Sequence, residues 1–146
     1  ITDIRPTILK NDLGITNKIM EEIKHFNIYD FVPINESFII PISPNDYINI
    51  QKDISHLDDA DISLIIAYLK KQKNNPIILT DDRDLMIECE YLQIEYFNLP
   101  FVMLKWVEQD FITKNVYAKC LKYWKESKSY SLDELKIYKN ELQSIV

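Results

Sequence analysis

The chain has 146 residues, which fits one domain of ordinary size with a hydrophobic core. Its formal net charge is −6, so its overall field does not attract nucleic acid, and an activity on nucleic acid would need a local cation. The only glycine, Gly14, excludes the glycine-rich loops that bind nucleotide phosphates. Cys89 and Cys120 lack the spacing of a zinc site, and no apolar run reaches the length of a membrane span. We therefore expect a soluble, cytoplasmic protein with no membrane partner.

The charges are unevenly distributed along the chain. Up to Pro100 there are 9 Lys and Arg residues against 17 Asp and Glu, whereas the remainder has 8 against 6. Acidic chemistry is therefore expected in the first two thirds of the chain, and any basic surface in the last third.

The first 54 residues contain four predicted elements. Thr16 can cap a helix whose apolar stripe comprises Ile19, Ile23 and Phe26. Phe38 to Ile40 is expected to form a short strand, and Tyr47 to Ile54 a helical turn or two. Ahead of all these, Asp3 would close a first strand.

From Asp58 onwards, the pattern alternates between helices and strands. A helix is predicted from Asp58, and its apolar stripe comprises Ile62, Ile65, Ile66 and Leu69. The apolar run from Ile77 to Leu79 predicts a parallel strand buried on both faces. A helix with Leu85, Cys89 and Leu92 on one face should follow, and then a strand from Ile94 to Leu99.

Three more helices complete the prediction. Pro100 is expected to open the first, which runs through Val107. The second contains Val116, Cys120, Leu121 and Trp124, and the capping box Ser131 to Glu134 introduces the third. The apolar stripe of this last helix comprises Leu135, Tyr138, Leu142 and Ile145. The rhythm predicts an α/β fold with a mainly parallel sheet.

Acidic residues near strand ends and helix starts are the candidate site. Asp81 and Asp82 follow a predicted strand directly, and Asp61 lies in the same helical row as Ile65. Glu22 is expected to flank the apolar stripe of the first helix, whereas Glu21 lies on the opposite side. The alternative is helix capping, which we favour for Asp59 and Asp84.

Several segments resemble the PIN domain family. The segment from Leu57 to Ile65 and the segment from Ile77 to Leu85 look like the second half of PIN domains, where an acid-led helix precedes a strand ending in Thr-x-Asp. Ile19 to Ile23 resembles the family's Val-x-x-Glu-Ile helix, and Asp3 to Ile8 is similar to its Asp-x-x-Pro-x-Ile strand end. The resemblance implies a single three-layer PIN-like domain over residues 1–146, in which helices flank a central sheet.

The same resemblance implies a metal-dependent endoribonuclease of the toxin or RNA-processing type. It assigns the catalytic acids to Asp3, Glu22, Asp61 and Asp82, with Asp3, Asp61 and Asp82 as ligands of Mg²⁺ or Mn²⁺. Carboxylates crowded together repel one another, and an oxygen-only site suits these hard ions. Thr80 would orient Asp82 or a metal-bound water, and His25 and His56 are assigned no role. The partners would be an RNA substrate and an antitoxin or a ribosomal partner, and a homodimer is compatible with the sequence.

Two other functions remain open. Ile4 and Arg5 stand where the family usually has Ser or Thr, which supports a catalytically inactive PIN-like module that binds RNA or protein. An acidic-pocket receiver domain is the other alternative, but it needs an acid pair after the first strand, where Asp3 stands alone.

Lysines in the last third are the candidate RNA contacts. Lys119, Lys122 and Lys125 alternate with aromatic residues, so they could hold phosphates while a ring stacks on an unpaired base. The competing interpretation is an ordinary exposed Lys face on a helix whose Trp and one Tyr belong to the core, and we rank it higher.

Overall fold

A computed structural model describes residues 14–23, 39–50, 54 and 56–146. These residues form seven α-helices and four short strands, so the predicted mixed α/β class is confirmed. The strands pair in parallel as two separate two-stranded sheets. None of the helices in the described ranges is long and apolar enough to cross a membrane. The described residues divide into two compact units, one ending at Phe97 and one beginning at Asn98.

The first unit contains both sheets. Its elements are β1 (Ile15–Thr16), α1 (Asn17–Ile23), β2 (Ile39–Ile40), α2 (Pro44–Ile50), α3 (Asp59–Lys70), β3 (Ile78–Leu79), α4 (Arg83–Tyr91) and β4 (Tyr96–Phe97). The second unit is helical and consists of α5 (Leu99–Glu108), α6 (Lys114–Glu126) and α7 (Leu132–Ser144).

The β1–β2 pair leads directly into α1. Ile15 lies opposite Ile39, and Thr16 lies opposite Ile40. The Asn17 side chain continues this pairing, because its amide donates to the Ile42 carbonyl at 3.2 Å and its oxygen accepts from the Ile42 N–H at 2.9 Å. At the start of α1, the Asn17 side chain thus makes a pair of hydrogen bonds to the Ile42 backbone, as a backbone amide in a strand would.

The β3–β4 pair corrects one expectation. Ile78 is buried, but Ile77 and Leu79 are 41% and 40% exposed, so the prediction of a strand buried on both faces was wrong. Side chains alternate between the two faces of a strand, and here only the Ile78 face packs into the core. The predicted strand from Ile94 to Leu99 is also shorter, since Asn98 already caps α5.

The core of the first unit includes buried residues of α3 and α4. Ile62, Ile65 and Ile66 are buried as predicted, but Leu69 is exposed because it lies in the last turn of α3. Leu92 is also exposed and follows the end of α4, so it does not share the buried face of Leu85.

Helix starts agree closely with the sequence. Thr16 accepts a hydrogen bond from the Ile19 N–H at 3.2 Å, which confirms the predicted cap of α1. The helix expected over 47–54 begins earlier, at Pro44, because Asp46 accepts from the N–H of Ser43 at 2.7 Å and closes its first turn. The predicted residues Asp3, Phe26 and Phe38 lie outside the described residues.

Three helices are each followed by a residue that has a left-handed backbone conformation and is not glycine. Gln93, Asp110 and Lys128 follow the C-caps of α4, α5 and α6 with φ values of 57°, 60° and 56°. The residue after each of them donates its N–H back to the helix, as Ile94 does to Cys89 at 2.8 Å. This backbone arrangement normally favours glycine, which has no Cβ to clash in that conformation.

The second unit has its own core around two aromatic residues. Tyr117 is fully buried and donates its hydroxyl to the Pro100 carbonyl at 2.8 Å. Its ring meets Trp124 edge to face at 6.0 Å. The predicted capping box is confirmed, since Ser131 and Glu134 bond each other's backbone N–H. Leu135 of α7 packs into this core.

Candidate functional site

Asp58 and Asp82 begin two neighbouring acidic segments as helix caps. The Oδ1 atom of Asp58 accepts the N–H of Asp61 at 2.8 Å, and the Oδ1 atom of Asp82 accepts the N–H of Leu85 at 2.9 Å. Each carboxylate satisfies an N–H that the helix itself leaves without a partner. Both acids therefore have a structural role, which the sequence interpretation assigned to Asp59 and Asp84 instead.

Thr80 connects the strand end to the cap of α4. Its backbone N–H donates to the Phe97 carbonyl at 3.0 Å and extends the β3–β4 pairing by one residue. Its hydroxyl oxygen accepts the backbone N–H of Asp82 at 3.0 Å. Thr80 thereby determines how the chain turns from β3 into the acid that caps α4.

A buried chain of hydrogen bonds joins α1 to α3. Ser63 donates to the Ala60 carbonyl at 2.6 Å, and the hydroxyls of Thr16 and Ser63 lie 2.6 Å apart. Because Ser63 has only one hydroxyl proton and Ala60 accepts it, Thr16 must donate to Ser63. Thr16 in turn accepts the Ile19 N–H. This chain fixes the start of α1, which carries Glu22, against the first turn of α3, which carries Asp61.

Asp61 is the electrostatic centre of the acidic residues. Its pKa is raised from 3.8 to about 6, first by burial and then, in decreasing order, by repulsion from the carboxylates of Asp58, Asp82, Glu22 and Asp84. Of these four carboxylates, one lies on α1, one on α4 and two on the caps of α3 and α4, and Asp61 itself is half-buried in α3. Three of the four acids assigned from the resemblance thus interact, while Asp3 lies outside the described residues.

The interacting acids that the structure describes are not arranged as a set of metal ligands. Within the described ranges, no three His, Cys, Asp or Glu residues are placed together to hold a metal ion. We expected Glu22 to flank the apolar stripe of α1 and Glu21 to lie on the opposite side. Both side chains are exposed, so their burial does not distinguish them. Asp59, Asp81 and Asp84 are exposed.

Sequence reasoning missed Glu88. This residue of α4 is buried, and its Oε2 atom lies 3.2 Å from Nε2 of His56, which is 57% exposed. Burial raises the pKa of the neighbouring Cys89 thiol to about 11, with smaller contributions from Glu88 and Asp61. Glu88 lies three residues after the buried Leu85, so helical spacing alone could have placed it on the buried face.

The lysine-rich helix α6 has a clear division between its faces. Tyr117 and Trp124 belong to the core, as the competing interpretation of this helix expected. Lys119, Lys122 and Lys125 are exposed, and Tyr123 is 66% exposed. Tyr123 is therefore the aromatic residue of α6 that remains available to a ligand.

Comparisons of the chain with protein-family models, with curated proteins and with solved structures found no significant match. The interpretation of the acidic residues therefore depends on the chain's own geometry and chemistry.

Proposed function

We propose that the chain is a metal-dependent endoribonuclease with a three-layer PIN-like fold. The supporting observation is the placement of Asp61, a half-buried acid of α3 whose pKa is raised first by burial and then by repulsion from carboxylates of α1, α4 and two helix caps. Repulsion of this kind destabilises the folded protein unless a cation or a proton balances it. A functional requirement for clustered carboxylates would explain why this cost is tolerated.

The donor chemistry of these residues suits a hard divalent cation. Asp61, Asp82 and Asp3 would hold Mg²⁺ or Mn²⁺ through carboxylate oxygens, and Glu22 would complete the acidic site. When bound, such an ion polarises a phosphate and supplies hydroxide near neutral pH. Thr80 would hold Asp82 in position through the hydrogen bond to its backbone N–H. The exposed Lys119, Lys122 and Lys125 would contact the RNA, and an antitoxin or a ribosomal partner belongs to the same proposal.

Cleavage of a labelled single-stranded RNA by the purified chain tests this function. Cleavage should require Mg²⁺ or Mn²⁺ and stop with a chelator. Asp82→Asn should lose cleavage while remaining folded, because asparagine also caps helices. Asp61→Asn should lose it too.

Asp59→Asn is the matched control for both variants. Asp59 is exposed in the same turn as Asp61, and its carboxylate acts on Tyr47, whose pKa it raises after the larger effect of burial. This variant should cleave like the wild type. Cleavage that persists with chelator would contradict the proposal.

The alternative of a catalytically inactive binding module has one specific observation in its favour. The Asp82 carboxylate already has a structural use as the cap of α4, so its presence does not require catalysis. A wild-type chain that binds RNA but does not cleave it with either metal would support this second function.

A further inference from the structure

The outward face of α6 combines two cations with an aromatic ring. Lys122 and Tyr123 follow Lys119 by three and four residues, so both are neighbours of Lys119 on the helix surface. All three are exposed, whereas Tyr117, Leu121 and Trp124 on the opposite face are buried. The core of the second unit therefore does not use the Tyr123 ring.

The charge of α6 is opposite to that of the chain. The helix has four lysines and one glutamate, while the whole chain carries a net charge of −6. Single exposed apolar residues are common and need no explanation, but an aromatic ring flanked by cations in an acidic protein is a more specific combination. A polyanion is the partner whose charge complements this helix.

The other two lysines of α6 lie away from Tyr123. Lys114 bonds to the Ile145 carbonyl at the end of α7. Lys125 is two residues after Tyr123, which places it on a different side of the helix. The cations nearest the Tyr123 ring along the helix are therefore Lys119 and Lys122, and Lys125 lies further round the helix.

We propose that Lys119, Lys122 and Tyr123 bind an unpaired stretch of polynucleotide, which the proposed function identifies as RNA. The two ammonium groups hold phosphates, and the Tyr123 ring stacks on a base. A base can stack on this ring only when its face is exposed, so the surface selects single strands over duplexes. Single-stranded DNA has the same phosphates and base faces, and it would bind by the same contacts.

Glu126 limits the affinity of this surface. It lies one turn after Lys122, and its Oε1 atom is 3.9 Å from the Lys122 Nζ atom. The carboxylate competes with a phosphate for Lys122 and repels the strand. Glu126→Gln should therefore tighten binding, which a purely structural role of α6 would not produce.

Fluorescence anisotropy with labelled oligouridylate of about 12 nucleotides tests the proposal, since single-strand sites span about 4 to 16 nucleotides. The full chain is used with chelator, so binding is measured without cleavage. The DNA oligonucleotide of equivalent sequence and an RNA duplex are the comparison ligands. The single-stranded RNA and DNA should both bind more tightly than the duplex.

The variants separate stacking from charge. Tyr123→Ala should weaken binding about 5- to 150-fold, while Tyr123→Phe should retain it because the ring remains. Lys119→Ala and Lys122→Ala should each lower the slope of log affinity against log salt by about 0.7. Lys139→Ala is the control, because Lys139 is an exposed lysine of α7, and this variant should bind like the wild type.

Three outcomes would overturn the inference: equal binding of duplex and single strand, unchanged binding by Tyr123→Ala, or no binding at low salt. The failure of the proposed nuclease function is distinguishable from these. A chain that binds through Tyr123 but does not cleave with metal would leave this inference intact and remove only the nuclease. A chain that cleaves RNA but binds it without dependence on Tyr123 would support the nuclease function and overturn this inference.

Discussion

Thr16 donates its hydroxyl to Ser63 across 2.6 Å, and the two residues are 47 positions apart in the chain. Both side chains are fully buried, and the bond continues from the Ile19 N–H to the Ala60 carbonyl. Each donor and acceptor in this chain is satisfied, so the buried polar groups are not costly. The same chain connects the helix of Glu22 to the helix of Asp61.

Removing one hydroxyl from this chain should destabilise the protein. Ser63→Ala leaves the Thr16 hydroxyl buried without its acceptor, which should lower the free energy of unfolding by about 1 to 3 kcal/mol. Urea denaturation measures this change. Thr16→Ser is the matched control, because it keeps the hydroxyl and loses only a methyl group. If Thr16→Ser proves more damaging than Ser63→Ala, packing and not the hydrogen bonds holds α1 to α3.

The pKa of Asp61 predicts a specific dependence of stability on pH. Its pKa is raised from 3.8 to about 6 in the folded protein, so the folded state binds the proton more tightly than the unfolded chain does. The destabilisation is therefore absent below pH 3.8, grows as the pH rises and is complete above about 6. Asp61→Asn should stabilise the protein by about 1 kcal/mol above pH 6, after allowing for solvent screening of a half-buried group.

Urea denaturation at neutral and at acidic pH tests this dependence. The gain from Asp61→Asn should vanish below pH 3.8, where the wild-type carboxyl is protonated in both states. Asp59→Asn is the control, because Asp59 is an exposed acid in the same turn of α3. A loss of stability in Asp61→Asn at neutral pH would mean that the carboxylate has a favourable partner.

Some local signals were read correctly from the sequence, although the caps Asp58 and Asp82 were not, and the long-range contacts were missed. The Ser131–Glu134 capping box and the Thr16 cap were predictable because both involve residues three positions apart. The exposure of Ile77 depends on which elements pack against its strand, which the local pattern does not contain. At the candidate site, the sequence predicted that Asp61 lies in the same helical row as buried residues. It did not predict the buried hydrogen bond between Thr16 and Ser63.

We predict a stabilising substitution at Gln93, which follows α4 with a left-handed backbone conformation. Gln93 has φ of 57°, where its Cβ is unfavourable, so Gln93→Gly should relieve strain of about 1 kcal/mol. The greater freedom of glycine in the unfolded chain offsets part of this gain. The net effect should be a small rise in Tm by differential scanning calorimetry.

The control for this substitution uses the same residue type. Gln109 caps the end of α5 with φ of −93°, so Gln109→Gly relieves no strain and should lower Tm. If both glycine variants lower Tm, the left-handed conformation of Gln93 is not costly in the wild type.

The pairing of Glu88 with His56 should be measurable as a coupling energy. Glu88 is buried and His56 is 57% exposed, so when the imidazole is removed, water can replace part of its interaction with the Glu88 carboxylate. A double-mutant cycle of Glu88→Gln and His56→Ala, followed by urea denaturation near pH 6, should give a coupling of about 0.5 to 1 kcal/mol. Additive effects of the two substitutions would show that the 3.2 Å contact contributes nothing to stability.

Divalent metal should stabilise the fold if the acids act as proposed. Mg²⁺ or Mn²⁺ bound only by the folded state relieves the repulsion around Asp61, and a concentration about 100 times the Kd adds about 2.7 kcal/mol. Tm should therefore rise with metal relative to chelator, and NaCl matched for ionic strength should not reproduce the rise, because screening alone is weaker than coordination. Asp61→Asn and Asp82→Asn should abolish the response, and Asp59→Asn should preserve it. The response should also weaken as the pH falls below about 6, because protonated Asp61 no longer attracts a cation. Equal Tm values with metal and with chelator at neutral pH would remove the metal site, and with it the proposed route to RNA cleavage.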